Sequence, residues 1–178
     1  FSEIDDVNNP ISPYAASKKA CELFCYTYSY LTGLDIACLR FFTVYGPRGR
    51  PEMAIYLFTK WIMEGTAISM FGDGETMRDY TYISDIVNGI VSCIDVNFKY
   101  EIINLGNSNP IKLKNLVSTI EKITGKKAKI EQKPIPKGDV PLTYADLTKA
   151  KRLLNYEPKV SIEEGIKNFY EWFKTNKQ

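Results

Sequence analysis

The stretch "IACLRFFTVYG", residues 36–46, decides the fold. It is an almost uninterrupted apolar run, rich in β-branched and aromatic residues and closed by Gly46 and Pro47. A strand with one wet face would alternate polar and apolar positions. A continuous run instead predicts a strand covered on both faces, as in a parallel sheet flanked by helices. Helical patterns lie on either side of it. "SPYAASKKACELFCYTYSYLTG" opens with Ser12 as a capping residue and Pro13 in the first turn, and Gly33 closes it. "MAIYLFTKWIMEG" is a second helix, stopped at Gly65.

Further out the alternation continues. "AISMF" is a short strand before the "GDGE" turn, and "RDYTYI" is another, followed by the helix "IVNGIVSCID" with Asp85 as its cap. "YEIINLG" is a buried strand ending in the "GNSNP" loop, and "KLKNLVSTIEKITG" is an amphipathic helix stopped by Gly125. "AKIEQKPI" is an exposed strand, and the helices "LTKAKRLLN" and "SIEEGIKNFYEWFK" are split by Pro158. Strands alternating with helices predict the α/β class. In the first helix Ala16, Ala20, Leu23, Phe24, Thr27 and Leu31 share one face at three-and-four spacing, which predicts that this face is buried.

Composition narrows the chemistry. The 178 residues suffice for one core and at most two small lobes. With 23 Lys and Arg against 21 Asp and Glu, net +2, there is no broad basic field for nucleic acid. No apolar run reaches the ~20 residues that span a bilayer, and a cytoplasmic protein is expected. Cys21, Cys25, Cys38 and Cys93 form no CxxC pair and the chain has no histidine, so no metal site is expected and the thiols are read as reduced. The lack of histidine leaves proton transfer to Tyr, Lys, Asp, Glu or Cys.

Four places could carry that chemistry. Tyr14 and Lys18 are four apart and share a helix face. An ammonium ~5 Å from a phenol, at an effective dielectric of ~20, favours the phenolate by roughly 3 kcal/mol, which suits a tyrosine base. Alternatively Lys18 pairs with Glu22. "RFFTVYGPRGRP" ends a strand in a Gly/Pro loop carrying Arg48 and Arg50 beside Thr43, a setting for a phosphate or carboxylate or simply for exposed loop arginines. Arg78, after the "GDGE" turn, reaches a diphosphate or pairs with Asp79. Asp139, in "PKGDVP", accepts from a ribose or sugar hydroxyl or closes its own turn, and Asp146 is a helix cap.

In order and spacing, "SPYAASK", "LRFFTVYGPRGRPEMA", "FGDGETMRDYTYISDIVNGI", "NLGN", "GDVPLTYAD" and "YEPKVSIEEGIKNF" resemble the C-terminal half of an extended short-chain dehydrogenase/reductase of the nucleotide-sugar epimerase and dehydratase group. Among its subgroups the first arginine loop and "GDVPLTYAD" are most similar to UDP-glucuronate 4-epimerases, with Glu52 where an aspartate is usual. The resemblance implies a Rossmann-like parallel sheet with a smaller substrate lobe. Residues 1–50 would end the Rossmann-like portion, and 51–178 would be mainly substrate lobe, with about 80–106 returning to the sheet. The dinucleotide-binding half, with its glycine-rich loop, would lie upstream of Phe1.

The resemblance further implies NAD as cofactor and C4 epimerisation of a UDP-sugar through a 4-keto sugar. Tyr14 would be the acid/base, and Lys18 would lower its pKa and meet the nicotinamide ribose. Thr43 and Arg50 would meet the sugar and its carboxylate, Met70 and Phe71 the uracil, Arg78 the diphosphate, and Asp139 the nucleotide. A homodimer paired through the YxxxK helix and a place in polysaccharide precursor synthesis are implied as well. The alternatives are a UDP-glucuronate decarboxylase, a dTDP-glucose 4,6-dehydratase, or a truncated module that binds nucleotide sugar without turning it over.

Overall fold

The computed structural model describes residues 1–135 and 140–176. A turn-rich lead-in reaches α1 (Pro13–Thr32), where the Ser12 hydroxyl accepts from the Ala15 amide at 3.1 Å and Gly33, at φ 74°, ends the helix as the sequence predicts. The decisive apolar run is two strands rather than one, β1 (Ile36–Phe41) and β2 (Thr43–Tyr45), separated at Phe42. Then come α2 (Ala54–Glu64), β3 (Ala67–Phe71), β4 (Met77–Tyr82), α3 (Ile83–Ile94), β5 (Tyr100–Leu105), β6 (Pro110–Lys112), α4 (Leu113–Thr124), β7 (Lys129–Lys133), β8 (Leu142–Thr143), α5 (Thr148–Leu154) and α6 (Ile162–Thr175).

The split at Phe42 sends the two halves of the run to different sheets. β1 pairs in parallel with β5, Ile36 opposite Tyr100 through Phe41 opposite Leu105. β2 pairs in parallel with β4, which also takes β6 antiparallel and β8 parallel. A third pair joins β3 and β7 in parallel, and the exposure of β7 agrees with its lysine-rich sequence. β6 and β8, three and two residues long, carry no pattern that a sequence reading detects.

Two apolar clusters result. One lies between α2, α4, α6 and the strands β3 and β4, where Ile62, Ile68, Leu116, Ile120, Ile166 and Phe169 are fully enclosed. Their i, i+3, i+4 spacing on α4 and α6 explains why those helices were readable. The second gathers Ile86, Phe98, Ile103, Leu105 and Leu154 beneath α3 and α5. Asp85 corrects the expected cap. Helix α3 begins at Ile83, and Asp85 sits in its first turn, buried, with its carboxylate accepting from the Lys159 and Val160 amides at 3.1 and 3.0 Å.

Helix α1 reverses the sequence expectation. The stripe predicted to be buried faces outward, with Leu23 57%, Phe24 66% and Leu31 73% exposed. The face against the sheet is Ala15, Lys19, Glu22, Cys25 and Ser29. Polar contacts fix it there. Arg40 on β1 grips Glu22 with a two-pronged fork, Nε to Oε1 at 2.6 Å and Nη2 to Oε2 at 2.9 Å. The Tyr100 hydroxyl donates to the Glu22 carbonyl at 2.9 Å, and the Ser29 hydroxyl donates to the Lys99 carbonyl at 2.5 Å. Hydrophobic spacing chose the wrong face because the docking is done by a charge-assisted fork. On the opposite side of the β1–β5 pair, α3 also presents Val87, Val91 and Ile94 outward.

Two stability predictions follow from this packing. The Arg40 guanidinium holds the Glu22 carboxyl below its ordinary 4.5, so the stabilisation is present above that pH and is lost as pH falls through the lowered folded value. Glu22→Gln is expected to cost about 1–2 kcal/mol at pH 7 in urea unfolding, with the gap to the parent protein closing below pH 4.5. Gly165 on α6 lies against Tyr45, and a Cβ there would stand 2.7 Å from the ring Cζ. Gly165→Ala is expected to lower stability by about 1–3 kcal/mol through overpacking, read from the same urea transition.

Candidate functional site

Helix α1 carries Tyr14 and Lys18 on its outer side near the N-terminus, with Tyr14 72% exposed. The Lys18 ammonium stands 5.6 Å from the centre of the Tyr14 ring, within cation–π range. Glu22, the alternative partner for Lys18, is instead engaged by Arg40 and, at 3.4 Å, by Lys19. Lys18 lines an open cavity of about 610 Å³ together with Phe41, Phe42, Asn104 and Thr143, and with the lead-in segment over it.

A second cavity, about 540 Å³, is lined by Thr43, Phe71 and Arg78, with Glu52, Trp61, Ser69, Thr76 and Tyr80. Three of the residues singled out from sequence therefore share one wall system. Thr43 is the first residue of β2, and its neighbour Phe42 lines the Lys18 cavity, so the two cavities are separated by the turn of one chain. Burial pushes the Tyr80 phenol up to about 12, which makes it a neutral hydroxyl on that wall and unsuited to act as a base.

Arg50 stands at the edge of this arrangement. It borders a small pocket that shares Thr43, Met53 and Tyr80 with the second cavity. Its Nε lies 3.3 Å from Glu52 and its Nη2 3.7 Å from the Met53 sulfur, with both charged side chains well exposed. Such an exposed pair is weak and readily exchanged for an anionic ligand. Arg48, in the same loop, adopts a left-handed φ of 62°. Met70 differs from its neighbour Phe71. Its side chain belongs to the apolar core, with its sulfur against Gly74, and only its backbone is available to a ligand. Arg78 donates to the Met77 carbonyl at 2.9 Å. Asp139 lies outside the described residues. The Asp146 carboxylate accepts from the Thr148 amide at 2.8 Å and closes the turn that leads into α5, but the capping position expected for it belongs to Leu147.

Two polar residues that frame the site were not singled out as site residues from sequence. Asn104, buried in β5, donates from its amide to the carbonyls of Phe1 and Asp146 at 3.0 and 3.4 Å. Asp79, next to Arg78, is fully buried and accepts three backbone amides. Each lies within a strand and owes its role to backbone groups far away in sequence, which no periodic pattern reports. The four cysteines are free thiols, and no described helix is long and apolar enough to cross a membrane.

Comparison with known proteins fits this geometry. A UDP-glucuronate 4-epimerase from Thermodesulfobacterium geofontis is 51% identical over 177 residues, covering 99% of this chain and 54% of that protein. UDP-glucuronate 4-epimerase 5 of Arabidopsis thaliana is 43% identical over 190 residues, covering 97% of this chain and 44% of that protein. Among solved structures, the UDP-glucuronic acid 4-epimerase of Bacillus cereus, in complex with UDP-glucuronic acid and NAD, superposes with a TM-score of 0.89. It is 37% identical, with 94% of this chain and 54% of that one covered. The chain thus spans about half the length of the curated relatives it matches. The family model described as GDP-mannose 4,6 dehydratase matches residues 2–169, and the chain therefore belongs to that family, within the nucleotide-sugar epimerase and dehydratase group of extended short-chain dehydrogenase/reductases.

Proposed function

We propose that the protein carrying this chain is a cytoplasmic, NAD-dependent epimerase that inverts C4 of a UDP-sugar, converting UDP-glucuronate to UDP-galacturonate through a 4-keto sugar. The observation that carries the reading is the adjacency of Phe42 and Thr43, which sets the cavity lined by Lys18 next to the cavity lined by Arg78. The similarity to UDP-glucuronate 4-epimerases supports the sugar. An ammonium lining an open cavity, with a phenol 5.6 Å from it on the same helix face, suits the ribose and nicotinamide of a dinucleotide, so Tyr14 and Lys18 fit that cofactor. NAD, when bound, supplies a hydride acceptor and donor.

The residues divide the remaining work. Tyr14, as phenolate, takes the proton of the sugar 4-hydroxyl and later returns one to the inverted oxygen. Lys18 stabilises the phenolate and orients the cofactor ribose. Arg78 neutralises the diphosphate. Thr43 donates to the sugar, and Arg50 exchanges Glu52 for the uronate carboxylate. Phe71 and the Met70 backbone flank the uracil, and Asp139 accepts from the nucleotide. The open edge of β1, which among the described residues pairs only with β5, suits further strands of the dinucleotide-binding half.

A homodimer completes the reading. The outward stripe of α1 combines the small Ala16 and Ala20 with Leu23, Phe24 and Leu31, which suits close packing against the same helix of a second copy.

Assay of the full-length protein tests the chemistry. UDP-glucuronate should be preferred to UDP-glucose, and the product should keep its carboxylate. A pentose or a 4-keto-6-deoxy sugar would identify the decarboxylase or dehydratase instead. Tyr14→Phe is expected to lower kcat by about 10²–10⁴-fold with little change in UDP affinity. Phe24→Arg is expected to convert the dimer to monomer in sedimentation velocity, because it places a charge in the apolar stripe.

A further inference from the structure

Asp79 holds a charge that no step above uses. Its carboxylate is fully buried, a costly placement unless the oxygens are saturated with donors. The donors are backbone amides from two distant segments: Asn107 at 2.8 Å to Oδ1, and Ser108 and Ala145, both at 2.9 Å, to Oδ2. The Thr81 hydroxyl lies 3.5 Å from Oδ1. Gly106 makes room for this convergence. A Cβ there would stand 2.8 Å from Oδ2 and 2.6 Å from the Ala145 Cβ. Ser108 takes a left-handed φ of 54°, a conformation with a cost outside glycine that its bond to Asp79 helps to offset.

Both gathered segments border Arg78. Two residues before Ala145, Thr143 on β8 is the ladder partner of Arg78 and also lines the Lys18 cavity. Just after Ser108, β6 supplies Ile111, the partner of Arg78 on the other side. Arg78 thus sits between two short strands whose approach to β4 is set by one carboxylate one residue away.

The geometry points to Asp79 as a positioning residue: through the Asn107, Ser108 and Ala145 amides it fixes β6 and β8 against β4, and so holds Arg78 and Thr143 in place for the diphosphate of the nucleotide sugar. This rests on the proposed role of Arg78. An asparagine cannot substitute, because its NH2 group would face an amide N–H that Asp79 accepts.

The test is calorimetric titration of the full-length protein with UDP, in Arg78→Ala, Asp79→Asn and the double variant. Each single change is expected to weaken UDP about tenfold, and Asp79→Asn to add less than about twofold in the Arg78→Ala background. The KM for the nucleotide sugar should rise about tenfold in Asp79→Asn while kcat moves less than about threefold. An equal loss in both backgrounds, or a fall in kcat alone, would overturn the positioning role. Unchanged UDP affinity in Arg78→Ala would instead overturn the diphosphate role of Arg78 and the inference with it. Tight UDP binding that survives Asp79→Asn while Arg78→Ala weakens it would sink the inference alone. Should Asp79→Asn not fold, Gly106→Ala displaces the same carboxylate without removing its charge. The same non-additivity with Arg78→Ala is expected, and additive losses would refute the proposal.

Discussion

A carboxylate in the interior has to be solvated by something, and for Asp79 the solvent is the main chain. Three amides lying up to 66 residues from it in sequence converge on its two oxygens. The Ala145 amide would be an unpaired buried donor without the carboxylate, and the carboxylate would be a costly buried group without the three amides. The mixed arrangement around β4, where two parallel neighbours and an antiparallel one meet, depends on this exchange. β6 and β8 are too short to hold their register through ladder hydrogen bonds alone.

The fold was legible where apolar residues do the docking. Helices α4 and α6 could be read because Leu116, Ile120, Ile166 and Phe169 repeat at the helical period and all enter one core. Helix α1 was located correctly by its caps, Ser12 and Gly33, but its orientation was inverted. The Glu22–Arg40 fork ties it to the sheet by its polar side, and periodicity has no means of reporting an ion pair eighteen residues apart. Similarly the run 36–46 was rightly read as β structure, but β1 is only half-buried, with Phe41 49% exposed, and the break at Phe42 follows from two different partners, β5 and β4, that only the tertiary structure supplies.

The candidate site was legible to the extent that it consists of charged or aromatic residues at the ends of elements. Lys18, Thr43, Phe71 and Arg78 all border cavities, and Tyr14 stands exposed beside Lys18. At Met70 and Phe71 the two side chains of one candidate segment part company. Adjacent strand residues point to opposite faces, so the residue beside Phe71 is committed to the core. Asp79 and Asn104 are a different case. A buried polar residue acts through whichever backbone groups the fold brings to it, and these lie up to 103 positions away.

Asn104 carries a consequence for the order of assembly. Its one amide group joins the carbonyl of Phe1 to that of Asp146, positions far apart in the chain. The lead-in to the YxxxK helix also receives the Asp146 amide at the Phe1 carbonyl, 2.8 Å away. These long-range closures can form only after residue 146 has left the ribosome, long after α1 itself is complete. The lead-in therefore closes against the rest of the fold only once residue 146 is available to receive it. Before that closure the cavity beside Lys18 lacks the wall that the lead-in provides.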